Sequence, residues 1–449
     1  MKRIILVLFA ITFVSVLVVP TTALPPKMLL HRYTWDADII NSEVVHSSYT
    51  GRRVYVAVLD TGLISNWRDY FPEDRIATHL GKGFWEPVHV NPKTEELVYA
   101  GFVKETSWVG STGDGGSHGT HVTSTIIGYN YYAPSDAATG YPLPPLFIEG
   151  IAPDVTIIPV KVLHTYNLPP YTGPNGIVFG RDLAVAAGIY YATELKIKGH
   201  SPMIISMSLG GPEPSTILED AINFAIANGV IVVAAAGNDG LAGMDWPGAY
   251  PQVISAGANG WRYEWYKPTE PPHYRLWWLQ DTTYGYRDIP EPTLATDVYV
   301  TDWSSRENDY RLGYFVDQEL DVLAPGSWVR GPFPGYPGYN HLPWWAPGKG
   351  WIKAPPNLVN FYYVGGTSMA TPHVSAVAAL MLEKNPTLEQ ATIESTLKST
   401  ALPIPQDASM EIWDRTPTGW GWVTVSWGGL EATGSGLIQA DAAITAVPP

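Results

Sequence analysis

Arg53-Val54-Tyr55-Val56-Ala57-Val58-Leu59 is an almost unbroken apolar run that stops at Asp60-Thr61-Gly62. A run without polar alternation is the pattern of a strand buried on both faces. Runs of the same kind recur at Thr156–Val162, Met203–Ser206, Val230–Ala235, Val253–Ala258 and Leu320–Ala324. Helical patterns fall between several of them, at His118–Ile127, Asp182–Ile197 and Ile217–Asn228. Doubly buried strands need a layer on each side, and intervening helices supply it. The expected fold is therefore α/β: a doubly wound, mostly parallel sheet with helices on both faces. In such sheets ligands gather at the carboxyl ends of the strands. Asp60 and the loops after Ser206 and Ala236 lie at those ends.

The chain has 449 residues, enough for one large domain or a few average ones. It shows no internal repeat and no linker, so residues 53–449 are expected to form one domain after a short segment, 24–52. Long stretches without a clear pattern interrupt it near 81–115, 129–149, 259–302, 327–363 and 401–433. Nine of the eighteen tryptophans lie between Trp261 and Trp351, a content that argues against disorder. Either these insertions pack on themselves and stiffen the surface, or they form an aromatic rim around a cleft.

The formal net charge of -15 argues against a nucleic-acid partner. With no cysteine, disulfides, thiol catalysis and cysteine metal sites are excluded. Residues 1–23 read as a signal peptide: Lys2 and Arg3, an apolar run Ile4–Val19, then Thr21-Thr22-Ala23 as a cleavage site. The expected localisation is secreted, and an uncleaved signal anchor is the one membrane alternative. A secreted chain without disulfides depends on packing, bound ions or rigid loops, and the 40 prolines fit rigid loops and a heat-tolerant source.

Four polar features stand out against this frame. Gly365-Gly366-Thr367-Ser368-Met369-Ala370-Thr371-Pro372-His373 is a glycine turn opening into an apolar helix, with one face buried from Thr367 to Lys384. Ser368 then lies at a helix N-terminus, where free N–H groups and the dipole favour developing negative charge. Pro372 is placed within or near the first turn, where a missing N–H costs least. Alone, Gly-Thr-Ser reads as an ordinary helix cap. Asp60 ends a buried strand, and such a carboxylate can orient an imidazole; alone, Asp-Thr-Gly is a strand-end turn. His118, in Gly116-Ser117-His118-Gly119-Thr120-His121-Val122, can take a proton from a serine near neutral pH. His118 and His121 also have a helical metal-ligand spacing, but no Glu accompanies them as in zinc-protease motifs, and His121 fits a core role. Asn238, in Ala235-Ala236-Gly237-Asn238-Asp239-Gly240, offers an amide donor, or only a turn.

Val58–Gly62, His118–Val122, Ala236–Asn238 and Gly366–Pro372, in the order Asp…His…Ser, together resemble the signatures of the subtilisin-like serine proteases. Gly150-Ile151-Ala152-Pro153 and Leu323-Ala324-Pro325-Gly326 extend the resemblance over roughly 35–447, outside the insertions. It implies a serine endopeptidase acting on polypeptides, with Ser368 as nucleophile, His118 as base and Asp60 orienting it. Asn238 and the Ser368 N–H would hold the oxyanion, and Ser208, Leu209 and Gly210 would pair with substrate backbone. An exopeptidase with a closed cleft, or an inactive subtilase fold serving as a binding or surface protein, are the alternatives. No cofactor is required for the chemistry. Structural calcium is allowed, with Asp69 matching a ligand of the family, but Tyr129–Glu149 replaces the loop that completes that site.

Two further expectations follow from the resemblance. About thirty residues separate Ala23 from the first strand, where secreted subtilases usually carry a longer inhibitory prodomain. Protein expressed from residue 24 is therefore expected to fold to an active enzyme unaided. Counting back from Pro247-Gly248 puts Asp245 near the floor of the pocket for the residue before the scissile bond. A carboxylate there would suit Lys or Arg; otherwise Asp245 points away, caps a turn or binds an ion.

Overall fold

The buried runs assemble into a nine-stranded sheet in the computed structural model. It describes residues 30–91, 93–94, 96–110, 116–131, 145–166, 177–266, 277–280, 289–334, 360–416, 418–428 and 431–448. The segment read as a signal peptide lies outside them. The strands are β1 (Tyr55–Asp60), β2 (Lys82–Trp85), β3 (Lys104–Thr106), β4 (Thr156–Lys161), β5 (Met203–Met207), β6 (Ile231–Ala235), β7 (Ile254–Trp261), β8 (Val298–Val300) and β9 (Val322–Pro325). Their order in space is β8-β7-β6-β5-β1-β4-β2-β3, with β9 paired to β7 along Ala256–Asn259. Only the outermost pairings, β8 on β7 and β3 on β2, are antiparallel.

Among the described residues eight α-helices accompany the sheet: α1 (Trp35–Asp38), α2 (Ser42–Val45), α3 (Gly116–Ile127), α4 (Asp182–Ile197), α5 (Thr216–Ala227), α6 (Thr367–Lys384), α7 (Gln390–Thr400) and α8 (Ala440–Ala446). Successive strand residues face opposite layers. Val56, Val58, Ile204 and Val233 share a core with α3 and α6, whereas Ala57, Leu59, Ile205 and Val232 share another with α4 and α5. That is the doubly wound arrangement expected. β1 is flanked by β4 on one side and β5 on the other, so the winding reverses at its carboxyl end, where Asp60 sits.

Three expectations need correction. First, α6 is buried almost all round rather than on one face, from Thr367 to Leu382 with Ser368 partly open. It lies between the sheet, α3 and α8, so no side is left for water. Second, Pro372 is the sixth residue of α6, beyond the first turn. The carbonyl that its absent N–H would have engaged, Ser368 O, accepts instead from Ser208 Oγ at 2.7 Å. Third, the insertions contain regular pairing. β2 and β3 come from the first and widen the sheet, and Ala408–Thr416 pairs with Gly419–Trp427 in a long hairpin. Val329–Pro332 likewise pairs with Phe361–Val364.

The tryptophans of the insertion near 259–302 pack into the interior. Trp261, Trp265, Trp277 and Trp278 are all buried; Trp265 meets Tyr363 edge-on at 4.6 Å between centroids, and Trp277 stacks on it at 5.7 Å. Trp344, Trp345 and Trp351 lie outside the described residues. The segment before β1 is part of the same core: Trp35, Ile39 and Ile40 are wholly buried in it. Among the described residues no helix is long and apolar enough to cross a membrane.

Candidate active site

The carboxyl ends of β1 and β5, the loop after β6, and the N-termini of α3 and α6 meet at one cleft of about 520 Å³. His118, Ser208, Leu209, Gly210, Asn238 and Ser368 all line it. Asp60 lies just beneath, wholly buried. Its carboxylate accepts from His118 Nδ1, 2.9 Å from each oxygen, and from the Thr61 N–H at 2.6 Å. The close approach is possible because Gly119 has no side chain: a Cβ there would stand 2.4 Å from the Gly62 carbonyl and 3.1 Å from Asp60 Oδ1. The Gly119 N–H in turn donates to Thr61 Oγ1 at 2.9 Å, fixing the start of α3 to the end of β1.

Burial opposes a charged His118, but the field of Asp60 and the hydrogen bond to it together lift the imidazole above its ordinary value. With Nδ1 donating to Asp60, Nε2 is the nitrogen left to act as base. His121, three residues on, plays no part in this. It is fully buried, its Nε2 donates to the Val329 carbonyl at 3.1 Å, and burial followed by the nearby His118 pushes it down to about 3. Its wholly buried position is the one that the core reading expects.

Ser368 is the second residue of α6, in the turn whose N–H groups have no helical carbonyl to meet. Its Oγ donates to the Ser208 carbonyl at 3.3 Å, so attack would require that proton to pass to His118 instead. Asn238 Oδ1 accepts from the Thr367 N–H at 2.9 Å and from Thr367 Oγ1 at 3.2 Å. With its oxygen engaged there, the amide nitrogen of this exposed side chain is the end free to meet a developing oxyanion. Thr367 was not legible as a functional residue, because its partner lies 129 positions away.

A family model described as the subtilase family matches residues 51–421. The chain belongs to the subtilase family. Subtilisin NAT of Bacillus subtilis subsp. natto is 28% identical over 369 residues, covering 81% of this chain and 64% of that relative's length. The subtilisin of Bacillus pumilus is also 28% identical, over 81% of this chain and 89% of its own. Two solved structures share the fold at 23% identity: fervidolysin from Fervidobacterium pennivorans, with a TM-score of 0.52 over 92% of this chain and 46% of that one, and sphericase, with 0.51 over 90% and 97%.

In this subtilase Asp245 lies directly behind the cleft wall. A Cβ on Gly210 would stand 2.7 Å from Asp245 Cβ, and one on Gly237 would stand 2.8 Å from its carboxylate. The carboxylate is ion-paired there, with Arg311 Nη1 2.9 Å from Oδ1. Asp69 is exposed and accepts from Asn66 Nδ2 at 2.9 Å. Among the described residues two clusters of three carboxylates occur, Asp38-Glu43-Glu291 and Glu319-Asp321-Glu394, and Asp69 belongs to neither. Lys398 already sits within the second, 2.9 Å from Asp321.

Proposed function

We propose that this subtilase is a secreted serine endopeptidase that hydrolyses polypeptides through an acyl-enzyme on Ser368. The observation that carries the reading is the bidentate contact of His118 with buried Asp60, 2.9 Å to each oxygen, in the cleft that Ser368 lines. Ser368 Oγ attacks the peptide carbonyl carbon while its proton passes to His118 Nε2. The carbonyl oxygen becomes an oxyanion, held by the Ser368 N–H and Asn238 Nδ2. Asp60 stabilises the imidazolium without itself taking the proton. His118 then gives that proton to the departing amine, and the C–N bond breaks. Water, deprotonated by His118, hydrolyses the ester and returns Ser368.

Ser208, Leu209 and Gly210 are suited to hold substrate backbone beside the nucleophile. Ser208 is tied to it twice, through its hydroxyl to Ser368 O and through its carbonyl to Ser368 Oγ. Beyond them Leu163, Phe179 and Leu218 give the cleft apolar walls with room for several residues of an extended chain, which favours internal cleavage. The test is a peptide blocked at both ends. Internal cleavage, abolished by Ser368→Ala, is expected; turnover only of peptides with a free terminus would replace the endopeptidase reading with an exopeptidase.

A further inference from the structure

Arg311 reaches Asp245, behind the cleft wall, from a loop that the motifs do not include. Its side chain is only 9% exposed, against 17% for Asp245 and 48% for Asp239, and the guanidinium pairs with both carboxylates. Nη1 also donates to the carbonyls of Gly243 at 2.7 Å and Met244 at 2.5 Å. The stem lies across Gly243, where any Cβ would stand 2.9–3.2 Å from Arg311 Cδ, Cβ and Cγ. Gly243 has φ +118°, a conformation that other residues rarely adopt. The loop itself is clamped down: Gln318 Oε1 accepts from the N–H groups of Met244 at 3.1 Å and Asn308 at 2.9 Å. This is a built site, not a surface arginine resting on a neighbour.

The charges can be apportioned. One guanidinium faces two carboxylates, so one negative charge remains. The exposed Asp239 keeps the better hydration, and the half of the pair that faces the cleft wall, Asp245, is matched by Arg311 in a poorly hydrated place. We propose that Arg311 is a specificity-determining residue. By neutralising Asp245 from behind, it makes the pocket beside Ser368 take an apolar side chain before the scissile bond rather than Lys or Arg. This rests on the peptidase reading, and it reverses the preference that Asp245 alone would imply. A Lys or Arg entering the pocket finds the negative charge behind its wall already matched by Arg311.

The test compares kcat/KM for blocked peptides that differ only in that residue, Phe, Leu, Lys or Arg, at pH 8.5. Concentrations are set by titration with a fluorophosphonate. Wild type is expected to favour Phe or Leu. Arg311→Met should shift the Lys-to-Phe ratio towards Lys by at least about tenfold, and Arg311→Met/Asp245→Asn should bring it back to within about threefold of wild type. Arg311→Gln keeps a donor for the Met244 carbonyl while removing the charge, and should shift the ratio in the same direction if the Met variant does not fold. A wild type that prefers Lys or Arg, or a titratable Arg311 variant with an unchanged ratio, overturns the role of Arg311 while leaving the peptidase reading intact. A folded wild type that neither reacts with the fluorophosphonate nor cleaves any peptide overturns both.

Discussion

Replacing Asp36 is expected to loosen the helix that carries Ser368, although Asp36 lies outside the cleft. His373, five residues after Ser368 in α6, is wholly buried, and Asp36 is 5% exposed. His373 Nδ1 is 2.8 Å from the Met369 carbonyl and Nε2 is 3.1 Å from Asp36 Oδ2. A carbonyl only accepts, so Nδ1 carries a hydrogen, and a second proton must bridge Nε2 and Asp36. Asp36→Ala leaves the buried Nε2 without its partner. An orphaned neutral group costs about 1–3 kcal/mol, and an orphaned charge about 3–5 kcal/mol, so a loss of roughly 2–5 kcal/mol is expected. Asp36→Asn keeps the shape and offers an amide N–H to Nε2 of the neutral ring, and should lose about 1 kcal/mol. The assay is guanidinium unfolding followed by tryptophan fluorescence, in a Ser368→Ala background that prevents self-digestion. Equal midpoints for Asp36→Ala and its parent, within about 0.5 kcal/mol, would refute the reasoning.

Two predictions concern the chemistry. Asn238→Ala should lower kcat by about 10²–10³-fold with little change in KM, a magnitude measured in a subtilisin and so taken from this family; a loss confined to KM would remove Asn238 from the oxyanion site. The acid limb of kcat/KM should lie above pH 6.5, because the base must be neutral and Asp60 favours its protonated form. Asp60→Asn removes that attraction and leaves the opposing effect of burial, so the residual activity should show its limb at lower pH; a limb that stays in place would assign it to another group.

Much of this was legible in the sequence because the relevant signals are local. Val54–Leu59 and its counterparts are buried on both faces, so their apolar runs name the sheet directly, and α4 begins and ends where its pattern does. The turn-and-helix strings around Asp60, His118 and Ser368 each depend on neighbouring residues, Gly119 above all. What was not legible depends on pairs far apart in the chain. Arg311 meets Asp245 across 66 positions, so the sequence, which left Asp245 between a pocket carboxylate and one turned away, could not name its ion-pair partner. Ser208 covers the carbonyl that Pro372 leaves free across 160 positions, which is how a proline fits deeper in α6 than its place in the turn suggests. The hairpin Ala408–Thr416/Gly419–Trp427 is largely half-exposed, so it lacks the continuous apolar run by which the central strands are recognised.

The central claim is that Ser368 is a nucleophile activated by His118 and Asp60. The most direct measurement is intact-mass and peptide mapping after reaction with a fluorophosphonate, on wild type, Ser368→Ala and His118→Ala. The account predicts one adduct per chain on Ser368 in wild type, none in Ser368→Ala, and labelling slowed by several orders of magnitude in His118→Ala. Equal labelling of wild type and Ser368→Ala, or an adduct mapped to another residue, would contradict it.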